Sequence, residues 1–152
     1  AGERNNIIPE SVELGGTIRT FDDAVLDTIE ARMRDIFDGV TRAAHASFEL
    51  SFDRTHPMTV NNPELTTQLV PTLERLVGHE NIREVPAQTG AEDFSYFANV
   101  VPGFYFALGV VPKGKTSGGH HTPTFYADDA AVPIAMRLMT SLVLDYLGSG
   151  AP

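Results

Sequence analysis

The chain has 152 residues, 42% of them hydrophobic, which is enough for the core of one domain or of two small half-domains. A formal net charge of −9 argues against partners such as nucleic acid or an anionic membrane surface, since both require a basic face. The absence of cysteine excludes disulfide bonds and thiolate metal ligands.

Two further absences narrow the class of protein. No run of about 18 apolar residues occurs, which argues against a membrane-spanning helix. The first residues lack the apolar core of a signal peptide, and the chain begins as a fragment or a processed product would. The expected compartment is the cytoplasm.

The first part of the chain predicts a β-α-β unit. Residues 11–20 alternate between apolar and polar side chains, as in a half-buried strand. A long amphipathic helix follows, with Asp22 or Asp23 as its N-cap and its end near Ala44. Residues 46–53 alternate again and predict a second strand. Because a two-stranded sheet is only marginally stable, we expect strands from elsewhere to complete it.

A polar stretch at residues 54–62 is typical of a linker, and a second helix follows it. Asn62 is the predicted N-cap and Pro63 the first helical residue, while Gly78 ends the helix. Its leucines recur at helical spacing, which predicts one buried face.

The rest of the chain predicts an α/β domain with a buried sheet. Residues 82–85 and the apolar run 103–111 are predicted strands, with a short helix over 91–100 between them. Asp128 is the predicted N-cap of a last helix, which is apolar nearly all round and ends at Gly148.

Two histidines near the C-terminus are candidate metal ligands. His120 and His121 follow a loop rich in Gly and Lys, and Pro123 restricts the backbone just after them. Neutral imidazole is a good ligand for zinc and similar ions, although a solvated loop histidine fits the residues equally well. A single histidine does not make a catalytic metal site, because three protein ligands are the usual minimum.

The other histidines and the loop lysines are interpreted without a chemical role. His45 lies near an element end and His56 in the linker, and both are taken as structural. His79 follows a helix end, where a cation is favourable. Lys113 and Lys115 flank glycines, but the pattern of a phosphate-binding loop is absent.

Three further polar features have a structural and a functional interpretation. Glu92 and Asp93 stand at a predicted helix start, where carboxylates stabilise the helix dipole; orienting a metal-bound histidine is the alternative. Arg19 is a lone arginine on a predicted strand, thirteen positions after Asn6. A solvated arginine is the default interpretation, and recognition of a substrate carboxylate is the alternative.

Four segments in this order resemble a known family: Asn-Ile-Ile-Pro at 6–9, Glu-Leu-Gly-Gly-Thr-Ile-Arg-Thr-Phe at 13–21, Gly-Ala-Glu-Asp-Phe-Ser at 90–95 and Gly-His-His-Thr-Pro-Thr-Phe at 119–125. Together they look like the C-terminal part of the metal-dependent amidohydrolases and peptidases of clan MH. Aminoacylase, hippurate hydrolase, indoleacetyl-amino-acid hydrolase and glutamate carboxypeptidase are members. The Glu-Asp-Phe form is most similar to the N-acyl-amino-acid and hippurate hydrolase branch.

The resemblance implies an α/β fold in two parts. Residues 1–55 would be the second half of a ferredoxin-like β-α-β lid and dimerisation domain. Residues 56–152 would be the C-terminal part of an α/β zinc-peptidase-like catalytic domain. The implied cofactor is a pair of divalent metal ions, zinc in the first place with manganese or cobalt as alternatives. The implied substrate is an N-acyl amino acid or a small peptide.

The resemblance also implies roles for five residues. His121 matches the histidine that ligates the second metal. Asn6 and Arg19 match lid residues that hold the substrate carboxylate and a neighbouring oxygen. Glu92 and Asp93 match a family segment near the substrate.

The family's other metal ligands, its general base and its lid histidine have no counterpart in this sequence. The chain alone should therefore be inactive, and its expected partner is a missing N-terminal portion of the same protein. A homodimer through the lid sheet is a second expected partner. The alternative to an enzyme is a non-catalytic binding or dimerisation module that uses the free sheet edge.

Overall fold

A computed structural model describes residues 4–150. They divide into two units, which are described separately. The first comprises the residues up to Thr55 together with Gln88–Gly90, and the second comprises His56–Ala87 and the residues from Ala91 onward. The assignment of residues 1–55 to a lid and of 56–152 to a catalytic domain stays a prediction.

The regular structure of residues 4–150 is entirely helical, and no β-strand occurs among them. The predicted α/β fold is therefore wrong for this structure, and neither the ferredoxin-like β-α-β lid nor a sheet in the second half is seen. All four predicted strands lack regular secondary structure: 11–20, 46–53, 82–85 and 103–111. A strand exists only when its backbone groups pair with a neighbouring strand, and an alternating pattern does not supply that neighbour.

The first unit contains one long helix, α1, which spans Asp23–Ala43. The Asp22 carboxylate accepts hydrogen bonds from the amides of Ala24 and Val25 at 2.7 and 3.3 Å, so the predicted cap is confirmed. The helix packs the ring of Phe37 against Phe48, with 5.6 Å between the centroids. No residue of α1 is buried in this structure.

Ion pairs on α1 tie the following segment to the helix. The Arg54 guanidinium lies 2.7 Å from the Asp27 carboxylate and 3.0 Å from that of Glu30. Arg34 also donates to Glu30, at 2.8 Å. The pKa of Glu30 is lowered by these hydrogen bonds, with Arg34 the larger cause and Arg54 the next.

The second unit contains three α-helices and a short 3₁₀ turn. They are α2 (Pro63–Val77), the 3₁₀ turn His79–Asn81, α3 (Phe94–Ala98) and α4 (Ala131–Gly148). The predicted Asn62 cap is confirmed, because its side-chain oxygen accepts the amide of Leu65 at 2.8 Å. The predicted Asp128 cap is wrong: α4 begins three residues later, and Asp128 instead accepts the amide of Ala130 at 2.9 Å.

The core of the second unit lies between α2 and α4. Its buried members are Leu69 and Leu73 from α2 and Leu138 and Leu142 from α4. Apolar side chains of the segment after α3 pack against this cluster: Phe104, Phe106 and Leu108. This packing removes one face of each helix from water, which is the main source of their stability.

Polar contacts fix the register of α2 against α4. The Thr72 hydroxyl donates to the Asp145 carboxylate at 2.6 Å, and Arg75 forms an ion pair with the same carboxylate. Arg137 donates to the carbonyl of Leu76 at 3.1 Å. The pKa of Asp145 is lowered by the Thr72 hydrogen bond first and by Arg75 second.

Helix α4 is long and apolar enough to cross a membrane, judged by length and composition alone. The finding limits the prediction that the chain has no membrane-spanning helix. Core helices of globular proteins share the same length and composition. We interpret α4 as a core helix, because Arg137 and Asp145 bond to α2. Its outer face nevertheless carries exposed apolar side chains: Val132, Met136, Met139, Val143 and Leu147.

Candidate functional site

The two candidate histidines lie on a surface loop that is closed by its own hydrogen bonds. The amide of Gly118 donates to the carbonyl of Thr124 at 2.9 Å, and the amide of Tyr126 donates to the Ser117 hydroxyl at 2.7 Å. Inside this closure the Thr122 hydroxyl donates to the carbonyl of Gly119 at 2.8 Å. The loop therefore has a defined shape without belonging to a helix or strand.

His121 occupies an unusual backbone conformation. Its φ is 63°, in the left-handed region that residues other than glycine rarely adopt. Such a conformation costs on the order of 1–3 kcal/mol and persists only where the surrounding structure imposes it. The turn around Thr122 and Thr124 imposes it here, and strained residues of this kind concentrate at functional sites.

The histidine rings face an open cavity of about 340 Å³ lined by His120, His121 and Phe125. His120 meets the Phe125 ring edge-on, with 5.4 Å between the centroids. The two imidazoles are themselves edge-on, 6.4 Å apart. His120 thus packs on Phe125 as well as on His121, and this additional contact favours His121 as the side chain that presents a nitrogen to a ligand.

The residues described do not by themselves complete a metal site. Within residues 4–150, no group of three or more His, Asp or Glu side chains is placed to hold a metal ion. His121 can provide one nitrogen ligand, and three protein ligands are the usual minimum of a catalytic zinc site. The donor set of residues 4–150 therefore fits only a part of a metal centre.

Glu92 and Asp93, which form the acidic segment before α3, make side-chain contacts that the sequence did not indicate. Asp93 stands at the N-cap position of α3 but makes no cap hydrogen bond with its side chain, and stabilisation of the helix dipole by the two acids stays a prediction. Its Oδ1 lies 3.0 Å from Nε2 of His56. Burial raises the pKa of Tyr105, and hydrogen bonding to the Glu92 carboxylate raises it further.

Arg19 is exposed, and its guanidinium donates to the carbonyl of Thr89 at 2.6 Å. Both residues belong to the first unit, and Thr89 lies three positions before Glu92 in the chain. Asn6 is exposed in the same unit. Roles for Asn6 and Arg19 in holding a substrate carboxylate stay predictions.

The five predicted site residues are distributed over the two units. Asn6 and Arg19 belong to the first, and Glu92, Asp93 and His121 to the second. Within the second unit the two acids share one segment, and His121 lies on a separate loop.

Sequence reasoning missed the two residues that hold the acids. His56 and Tyr105 lie 37 and 13 positions from their partners, and neither stands in a motif. The one signal available was the polarity of the predicted linker, which includes His56.

Comparison with known proteins identifies the family. The model of the peptidase family M20/M25/M40 matches residues 6–145. The chain is 37% identical over 150 residues to thermostable carboxypeptidase 2 of Saccharolobus solfataricus, covering 96% of this chain and 37% of that protein. It is 29% identical over 150 residues to IAA-amino acid hydrolase ILR1-like 2 of Arabidopsis thaliana, covering 96% of this chain and 34% of the relative.

A third relative is N-acetyldiaminopimelate deacetylase of Streptococcus suis, 33% identical over 144 residues, which are 94% of this chain and 37% of that protein. The chain thus spans about a third of the length of the curated relatives it matches. No solved structure matches it significantly. The match over residues 6–145 confirms the resemblance to metal-dependent amidohydrolases and peptidases, and the chain belongs to peptidase family M20/M25/M40.

Proposed function

We propose that this chain is part of a metal-dependent hydrolase that cleaves the amide bond of N-acyl amino acids or small peptides. Its family supports a hydrolase, and the names of two relatives describe acyl-amino-acid hydrolysis and deacetylation. The observation that carries the proposal is His121. It stands in a self-closed loop, in a strained left-handed conformation, at the edge of an open cavity.

His121 is the proposed ligand of one metal ion in this hydrolase. We propose a centre of two divalent ions, zinc first and manganese or cobalt as alternatives. Such ions supply Lewis acidity toward an amide carbonyl when bound. Since the described residues offer no set of three ligands, the other ligands and the general base belong to the remaining part of the protein.

Arg19 and Asn6 are the proposed carboxylate-binding residues. The fork of a guanidinium suits a carboxylate, and the Arg19 side chain is exposed enough to meet one. In this structure the guanidinium donates to the carbonyl of Thr89, so a substrate carboxylate would replace or join that acceptor. Asn6 would donate to the neighbouring oxygen of the substrate.

The two acids of the second unit, Glu92 and Asp93, have a separate proposed role in contacting the substrate. Glu92 is held by the Tyr105 hydroxyl and Asp93 by the His56 ring, so both carboxylates have defined neighbours. Ordered acids of this kind are suited to contact polar groups of the substrate next to the scissile amide.

A non-catalytic binding or dimerisation module is the alternative. The observation in its favour is the exposed apolar face of α4, defined above by Val132, Met136, Met139, Val143 and Leu147. Exposed apolar surface of this kind marks interaction sites. A module would use this face for assembly and would need no metal.

The full-length protein distinguishes the two functions. We expect it to hydrolyse N-acetyl amino acids, to lose this activity after treatment with a chelator and to regain it when zinc or manganese is added. A full-length protein that binds no divalent metal and releases no amino acid from any N-acyl substrate would favour the module.

A further inference from the structure

We propose that His56 is a positioning residue of this hydrolase, which fixes the Asp93 carboxylate by a hydrogen bond and presents it to the substrate. The inference rests on the proposed function and deepens it. The bond joins Nε2 of His56 and Oδ1 of Asp93 at 3.0 Å. His56 lies outside every motif that carries the family resemblance.

The backbone of Asp93 is fixed by the helix that follows it. Ser95 is fully buried, and its amide donates to the carbonyl of Glu92 at 3.0 Å. The amide of Tyr96 donates to the carbonyl of Asp93 at 3.1 Å. With the backbone held in this way, only the side-chain torsions of Asp93 remain to be set, and the His56 bond sets them.

The burial of the two partners shows which one anchors the other. The His56 side chain is 33% exposed and that of Asp93 is 90% exposed. The His56 ring also packs against Tyr96, with 5.8 Å between the centroids. The His56 imidazole is therefore held by its packing, and it holds the exposed Asp93 carboxylate in place.

A second histidine–carboxylate pair in the same unit has the opposite arrangement. Nδ1 of His79 lies 2.7 Å from the Glu74 carboxylate, but here the histidine is 86% exposed and the acid 34%. The His79 pair therefore presents an imidazole and lies at the end of α2, outside the acidic segment. It provides a matched control for the loss of a histidine–carboxylate bond.

A single hydrogen bond to a 90% exposed carboxylate contributes little to stability, so variants of His56 should remain folded. Two substitutions separate the hydrogen bond from the ring packing. His56→Phe keeps a ring against Tyr96 but removes the donor, whereas His56→Gln keeps a donor for Asp93 but removes the ring. His79→Phe is the matched control.

The first measurement uses the 152-residue chain and needs no activity. NMR should show the Asp93 side-chain carboxyl signal and the amide signals of 92–95 displaced in His56→Phe and unchanged in His79→Phe. Unmoved signals in His56→Phe would overturn the positioning role alone, whatever the activity of the protein.

The second measurement uses the full-length protein and an N-acetyl amino acid. We expect kcat/KM to fall on the order of 10-fold in His56→Phe, because a misplaced group costs catalysis more than binding. His56→Gln should retain most of the rate, and His79→Phe all of it. In an Asp93→Asn background, His56→Phe should cause no further loss.

Three outcomes of the kinetic test contradict the inference. They are equal rates in His56→Phe and His79→Phe, a larger loss in His56→Gln than in His56→Phe, and losses that multiply in the double variant. A full-length protein without hydrolase activity would overturn the proposed function and this role with it. The NMR result distinguishes that failure from a failure of the His56–Asp93 pair.

Discussion

The backbone amide of Gly118 donates a 2.9 Å hydrogen bond to the carbonyl of Thr124 and so closes the loop that carries His121. The closure leaves no space at Gly118: a Cβ there would overlap the hydroxyl oxygens of Thr122 and Thr124 and touch the backbone of Thr124. The loop conformation, and with it the position of His121, therefore depends on a glycine at this position.

Replacing Gly118 with alanine should distort the loop. We expect Gly118→Ala to lower the free energy of unfolding by about 1–3 kcal/mol, the usual cost of forcing extra volume into a close contact. Urea denaturation followed by circular dichroism measures it. Gly119→Ala is the control, because a Cβ at Gly119 meets nothing within 4 Å. Equal effects of the two substitutions would show that the closure at Gly118 does not constrain the loop.

The interface of α2 and α4 should supply much of the stability of the second unit. Leu138 is 3% exposed between the two helices, so Leu138→Ala should lower the free energy of unfolding by about 2–4 kcal/mol. The neighbouring Met139 is 55% exposed, and Met139→Ala should change it by less than about 1 kcal/mol. Urea denaturation compares both variants with the wild type. A smaller loss in Leu138→Ala than in Met139→Ala would contradict the packing described.

The contact of Asp145 with Thr72 and Arg75 should make stability depend on acid pH. These partners lower the pKa of Asp145 in the folded state, with the Thr72 hydrogen bond the larger cause. Because the pKa of Asp145 is lower in the folded state than in the unfolded state, its ionised carboxylate stabilises the fold fully above the unfolded-state pKa. This stabilisation disappears as the pH falls through the folded-state pKa. The stabilisation by Asp145 should therefore be lost at and below about pH 4.

Urea denaturation between pH 7 and pH 3 tests this dependence. The difference in the free energy of unfolding between wild type and Asp145→Asn should be largest near pH 7 and should shrink as Asp145 becomes protonated. Thr72→Val should reduce the same pH-dependent difference, since it removes the hydroxyl donor. A difference that stays constant over this range would contradict the assignment.

Arg19→Ala in the full-length protein should weaken the use of substrates with a free carboxylate. We expect a loss in kcat/KM on the order of 2 kcal/mol, about thirtyfold, because the contact is charge-assisted. The carboxamide analogue of the same N-acyl amino acid should be affected little. Arg32→Ala is the control, since its side chain is 73% exposed on α1 and pairs with Asp35 at 3.9 Å. Unchanged discrimination between acid and carboxamide in Arg19→Ala would leave Arg19 without a substrate role.

The helices were predictable because their signals are local. The Asp22 and Asn62 caps lie within three residues of the amides they accept, and the leucines of α2 face one side within four turns. The predicted cap at Asp128 was also wrong for a local reason. The Asp128 carboxylate accepts a hydrogen bond from the amide of Ala130, in the turn that precedes α4.

The strands were not predictable in the same way. The alternation at 11–20 and the apolar run at 103–111 are suited to strands of a sheet. A strand also needs a neighbouring strand to pair with, and no such pairing occurs among the described residues. In the second unit the apolar side chains of Phe104 and Phe106 pack on the α2–α4 core without a ladder.

The site roles of His121, Glu92 and Asp93 stay predictions, and their contacts were only partly predictable. Motif order pointed to His121, Glu92 and Asp93, whereas the contacts of the acids depend on residues far away in sequence. Only the folded chain brings His56 to Asp93. The left-handed backbone of His121 also has no specific signal in the sequence, and His45 adopts the same region without belonging to a motif.

Metal analysis of the full-length protein tests the central claim most directly. The measurement is the divalent metal content and the N-acetyl amino acid hydrolysis of purified wild type, His121→Ala and His120→Ala. We predict that His121→Ala loses metal and nearly all turnover, while His120→Ala, whose ring packs on Phe125, retains most of both. Equal metal content in His121→Ala and wild type, or a greater loss in His120→Ala, would contradict the proposal that His121 is a metal ligand of a hydrolase.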